Sequence, residues 1–289
     1  MQYVSPYRLW EHIASEEEKS LPEDARLLRK RLLLELEIQG GRYLHLGENT
    51  YSRDDILRLT EQWESSPEVW AFHRKVAQYP VLLAVLESGH WWGESLPGAK
   101  DLDQATAWLS VYLVPVMQQA VKKVFVKRDF PTGLALLQQL PLLHSDAQTL
   151  LYAEIMQRGE LLCNEIERHT LQNLPLKKDT WAFLKSKEFY TFFNETGQLF
   201  AGLRNRLAQV LNNQFAMHIN HRQHLLFCGA VLSKTLSLSC STELHEYLRR
   251  NRKRVPDPAD LRQGIIIMII ALIVYFLIIV LARSAHAAA

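Results

Sequence analysis

The chain has 289 residues, 48% of them hydrophobic and 22% charged, with 33 Lys and Arg against 31 Asp and Glu. That apolar content excludes a disordered chain, and a formal net charge of +2 with no basic stripe along the body argues against a nucleic-acid partner. Three cysteines, Cys163, Cys228 and Cys240, supply neither a disulfide framework nor paired metal-ligand spacings, and read as buried thiols of a reducing compartment.

In chain order the pattern is overwhelmingly helical. Ser5-Pro6 reads as an N-cap followed by proline in the first turn, opening a helix through Leu9, Trp10 and Ile13. Leu21-Pro22-Glu23-Asp24 opens a second, in which Leu27, Leu28, Leu32, Leu34 and Ile38 are expected on the buried side, and Gly40-Gly41 ends it. Arg42 to Tyr51 places strand-forming residues around a glycine turn and predicts one short β-hairpin. Ser52 with Asp55 three residues on is a capping box, Ser66-Pro67 opens the next helix, and PVLLAVL continues the apolar packing from Pro80. Residues 1–88 are therefore expected as an N-terminal helical subdomain.

Ser88 to Gly98, SGHWWGESLPG, reads as a loop carrying Trp91 and Trp92. Adjacent tryptophans on a loop suit an interaction platform, since Trp is enriched where binding energy concentrates. The other reading is that at least one ring folds back as a plug between the two halves, as buried tryptophans commonly do. Residues 99–250 are expected as a second helical subdomain. It comprises a helix over Asp101–Arg128 kinked at Pro115, another over Thr132–Leu140, a long one from His144 to Leu171, a short one capped by Asp179, and one or two more from Glu188 to Leu232. Short connections favour a bundle, and no repeat of fixed period points to a solenoid.

Near the end of this subdomain His218, His221 and His224 precede Cys228. If one helix holds His221, His224 and Cys228, all three point the same way and form a candidate site for a soft divalent metal. The same face carries Met217, Leu225 and Leu232, which equally describes an apolar stripe with boundary histidines. The nucleophile elbow, P-loop, HExxH and GxGxxG patterns do not occur, and no cofactor is implied.

Net charge shifts along the chain, from −4 over residues 1–100 to +5 over residues 249–289. The basic end begins with Arg249, Arg250, Arg252, Lys253 and Arg254, a cluster suited to anionic lipid headgroups. Residues 251–263 form a basic, proline-containing linker, and Gly264–Ala282 follows with nineteen residues and no charge. As a helix that run covers about 28 Å, close to the thickness of a hydrocarbon core, and is predicted to span a bilayer once, leaving 283–289 as a short tail. The excess of Lys and Arg before the span, and the lack of an apolar core in Met1–Lys19, place the body on the cytoplasmic side in this reading, with a bacterial inner membrane the expected location. The fold expected is mostly α: a multi-helix cytoplasmic bundle with one hairpin and a single C-terminal transmembrane helix. The function expected is that of a tail-anchored adaptor or scaffold offering a protein-binding surface to a membrane assembly. The alternative is a membrane-associated enzyme using the His/Cys cluster with a metal.

Overall fold

The computed structural model describes residues 3–15, 18, 20–47, 49–102, 106–172, 175–219, 221, 224–255 and 266–275. The described chain is mostly helical, with a single two-stranded sheet among the described residues. It divides into two compact units, Met1–Arg158 and Gly159–Ala289. The division falls inside a long helix, and the Ser88–Gly98 loop expected to separate subdomains lies within the first unit.

The first unit opens with α1 (Pro6–Ile13), whose N-cap Ser5 accepts from the Arg8 amide, and α2 (Ala25–Ile38), capped in the same way by Asp24. Strands β1 (Tyr43–Leu46) and β2 (Asn49–Ser52) pair antiparallel, with Tyr43 opposite Ser52 and Leu46 opposite Asn49, in the predicted hairpin. Gly47 supports the turn with φ +59°. Helix α3 (Arg53–Glu64) carries the capping box read from sequence: the Ser52 Oγ accepts from the Asp55 amide while the Asp55 carboxylate accepts from the Ser52 amide. Helices α4 (Pro67–Ala77) and α5 (Pro80–Ser88) follow, each with proline in its first turn. A core of Leu9, Trp10, Leu28, Leu32, Leu36, Leu44, Ile56, Trp63 and Trp70 joins α1 to α4 and the hairpin.

One expectation fails inside α2. Leu28, Leu32 and Leu36 are buried, but Leu27, Leu34 and Ile38 lie on the outside, 43%, 58% and 69% exposed. The reason is helical geometry: positions 25, 28, 32 and 36 form one line, and positions 27, 34 and 38 form another on a different side. Only the first line meets α3 and β1.

The short α6 (Ala99–Leu102) leads to α7 (Thr106–Lys127), which continues through Pro115 and packs on α4, α5 and α8 (Phe130–Gln139). Those contacts tie both sides of the 89–98 stretch into one unit. Helix α9 (Ser145–Leu171) contains the boundary at Arg158 and Gly159.

The second unit packs the C-terminal part of α9, α10 (Lys187–Glu195), α11 (Ala201–Met217), α12 (Leu225–Thr235) and α13 (Thr242–Lys253). Its core is aromatic: Trp181, Phe189, Tyr190, Phe192, Phe193, Phe200 and Phe215 are almost wholly buried, with edge-to-face pairs such as Phe189–Phe193 at 5.2 Å between centroids. Gly159 permits close approach of α9 and α11, because a Cβ there would stand 2.5 Å from a Leu203 methyl. Arg204 is buried, and its Nε donates to the Ser239 carbonyl and its Nη1 to the carbonyls of Phe193 and Gly197.

Residues 266–275 are helical, and all ten are exposed. Of the predicted span Gly264–Ala282, positions 264–265 and 276–282 lie outside the described residues, as do most of the proline-containing linker and the tail. Among the described residues, no helix is long and apolar enough to cross a membrane.

Candidate functional site

The Trp91–Trp92 loop is built by local hydrogen bonds. Gly89, at φ +65°, ends α5, with its amide donating to the Val85 carbonyl. The two tryptophans then take opposite roles. Trp91 is 3% exposed and its indole N–H donates to the Glu94 carbonyl, whereas Trp92 is 66% exposed and its backbone amide donates to the Glu94 carboxylate at 2.7 Å. Gly93, at φ +98°, makes the reversal that lets one glutamate serve both residues.

The exposed ring has company. His90 stacks on Trp92 with centroids 5.6 Å apart and planes 14° from parallel, while the Lys123 Nζ lies 4.7 Å from the ring centroid. The His90 Nδ1 is 2.7 Å from the Ser88 carbonyl, which fixes the imidazole. Of the pair, Trp91 folds back and is buried within the first unit, and Trp92 beside it is exposed. Lys123 is 31 positions away on α7 and carries no local signal in the sequence.

The basic cluster falls on the last turns of α13, capped at its start by Ser241. Arg249, Arg250, Lys253 and Arg254 are exposed, and Tyr247 beside them is 51% exposed. Arg252 differs: it hydrogen-bonds Ser233 and donates through Nη1 to the Val255 carbonyl at 2.7 Å, tying the end of α13 to α12. Arg252 is half-buried and tied to the fold through these two bonds, whereas the other four cations are exposed.

The histidines do not share the helix that the spacing suggested. α11 ends at Met217, His218 caps it, His221 lies in the connecting turn, and α12 begins at Leu225 immediately after His224. Cys228 is inside α12 and fully buried. What gathers instead are three imidazoles, His218, His221 and His224, with ring centroids 5.8 to 6.3 Å apart. The Gln214 side-chain amide links His218 to His169, reaching the His169 Nδ1 at 3.0 Å, and the Gln214 carbonyl accepts from Thr170. Burial, then His224, His221 and His169, hold His218 below the ordinary imidazole range; burial, Lys178 and His221 do the same to His224. Burial pushes the Cys228 thiol up to about 11 and the Cys163 thiol up to about 12, so both are protonated at neutral pH. Among the described residues, no group of three or more His, Cys, Asp or Glu side chains is placed to hold a metal ion. A helical His221/His224/Cys228 triplet is therefore not what the fold builds.

Sequence reading missed the outer line of α2, which Leu27, Leu34 and Ile38 signal by spacings of seven and four, a second apolar line on the side away from the buried one. It also missed the Trp92–Lys123 contact. No family model matches the chain, and no curated protein or solved structure matches it either.

Proposed function

We propose that this protein is a membrane-tethered helical adaptor, with a helical body presenting protein-binding surface and a C-terminal apolar helix holding it at a bilayer. The observation that carries this reading is the helix at 266–275. Ile266, Ile267, Met268, Ile269, Ile270, Leu272, Ile273, Val274 and Tyr275 are 48% to 67% exposed, so none of the described residues covers them. Full burial of a side chain of that size contributes roughly 1.5–3 kcal/mol, and a hydrocarbon phase supplies it to a helix apolar on every side. The uncharged sequence continues on both sides of the described helix, from Gly264 to Ala282. The exposed cations of α13 precede it, where an anionic headgroup layer would meet them.

The adaptor half rests on the outer line of α2. Leu27, Leu34 and Ile38 run along one side of a well-capped helix, a geometry suited to receiving an apolar partner segment.

Two readouts test the two halves. Membranes from cells expressing the full chain should retain it through an alkaline carbonate wash; release by that wash overturns the tether. A photo-crosslinking residue at Leu34 should yield defined protein adducts that the same residue at Arg58, exposed on α3, does not. Matching adduct patterns at the two positions overturn the docking half.

A further inference from the structure

We propose that the Trp92 surface is a second membrane contact, a site for the headgroup layer of an anionic lipid bilayer. This rests on the tether reading, which supplies the bilayer, but stands on a different part of the chain.

The surface is amphipathic in the manner that interfaces select. Trp92 offers an exposed indole, and Val126 on α7 is 77% exposed. Lys122 and Lys127 are exposed beside it, while Lys123 is placed over the indole itself. These positions alternate with Val121, Val124 and Phe125, all buried, so the last turns of α7 are fixed by packing on one side and left basic and apolar on the other. An indole sits at the boundary between headgroup and acyl chain, with lysines snorkelling from their aliphatic stems toward phosphate. Charge complementarity selects an anionic surface.

The geometry also explains why the ring is held out. An exposed tryptophan in water gains by folding back, and here Trp91 occupies the inner position while Glu94 fixes the backbone between them. The ring is pre-organised, which removes part of the ordering cost of binding. A chain already tethered needs only a weak additional contact, because the tether makes the second encounter intramolecular.

The test uses the full chain reconstituted with vesicles of phosphatidylcholine, alone or mixed with phosphatidylserine, some carrying brominated acyl chains that quench tryptophan. Of seven tryptophans, Trp92 and Trp108 are the exposed ones, the latter at 42%, and the other five are at most 5% exposed. With phosphatidylserine, wild type should be quenched more than Trp92→Phe, and Trp108→Phe should keep that excess. Raising salt from about 0.1 M to about 1 M shortens the screening length from roughly 10 Å to roughly 3 Å and should cut the excess by about half or more. Lys123→Glu with Lys127→Glu, two side chains at the surface, should remove it.

Flotation of the chain with neutral vesicles at high salt reads the tether separately. A chain that floats but is quenched equally in wild type and Trp92→Phe overturns this inference and leaves the tether standing. A chain that does not float overturns the tether and the inference with it. Excess quenching that is the same on neutral lipid overturns the anionic selectivity. Protein adducts formed at position 92 in native membranes, with no lipid quenching there, would assign the loop to a protein partner instead.

Discussion

Arg204 shows how a charge is kept inside the second unit by backbone carbonyls. Three carbonyls, from Phe193, Gly197 and Ser239, receive its donors, so the guanidinium closes the end of α10 and holds the segment between α12 and α13. Arg204→Met should cost about 1–3 kcal/mol in urea unfolding, since the three charge-assisted hydrogen bonds that join these segments are lost. Gly159 answers to volume rather than polarity. Its Ala variant must move Leu203, and overpacking of this kind costs typically about 1–3 kcal/mol. At the tryptophan pair the two truncations should part company. Trp91→Ala empties a buried site and should cost about 3–5 kcal/mol, while Trp92→Ala should stay within about 0.5 kcal/mol of wild type in the same measurement. His73 adds a pH dependence. It is buried beside the Tyr3 hydroxyl at 3.1 Å, and burial pushes its imidazole down to about 3. The unfolded chain binds that proton from about pH 6.5 downward. The folded chain does not until about pH 3, so stability present above pH 6.5 is lost progressively as pH falls between those values. His73→Gln should lower the slope of unfolding free energy against pH by up to about 1.4 kcal/mol per pH unit in that window.

At the scale of elements, α2 separates two kinds of leucine that composition cannot tell apart. Leu32→Ala should destabilise the first unit by about 2–5 kcal/mol, whereas Leu34→Asp should leave stability nearly unchanged and abolish the adducts expected along the outer line. Caps were legible in part. Ser5, Ser52 and Ser66 cap helices where the sequence marked them, because a short oxygen-bearing side chain before an apolar period has one efficient use. Asp24, Ser186 and Ser241 cap helices that composition did not mark in that way, and Asp179, expected as a cap, precedes a short 3-10 turn whose N-cap is Trp181 with no side-chain bond. The hairpin was legible for a similar local reason. Which apolar line of a helix faces inward was not, since that is decided by neighbours distant in sequence: α3 and β1 claim one line of α2. The histidines misled for the opposite reason. Their spacing is regular, but α11 ends at Met217 and α12 begins at Leu225, so one helical projection does not cover all of them.

For the whole molecule, two compact units of different character share one chain. The first is organised by leucine and tryptophan around a hairpin, and the second by phenylalanines that interlock edge to face. The Trp92 surface was half legible: the sequence marked the loop, while the lysine over the ring and the division of labour between neighbours required the packing of α5 and α7. The basic cluster was legible in composition, while the partners that Arg252 has in the fold are invisible to a charge count. If the tether and the Trp92 contact both operate, the bilayer is a ligand for two separate parts of the chain, and losing the apolar helix should weaken the second contact as well as the first. A chain truncated before Gly264 should then bind phosphatidylserine vesicles only at low salt, in a sedimentation assay that the full chain passes at any salt.

The three thiols carry a further consequence. Cys163 and Cys228 are sealed and hold their protons, Cys240 is only partly covered, and all three lie in the second unit. A thiol-specific reagent therefore acts as a clock on that unit alone: Cys240 should be modified first, and the other two only as fast as the surrounding helices open. The timing of each adduct by mass spectrometry gives the opening frequency of the phenylalanine core in a chain with no engineered label.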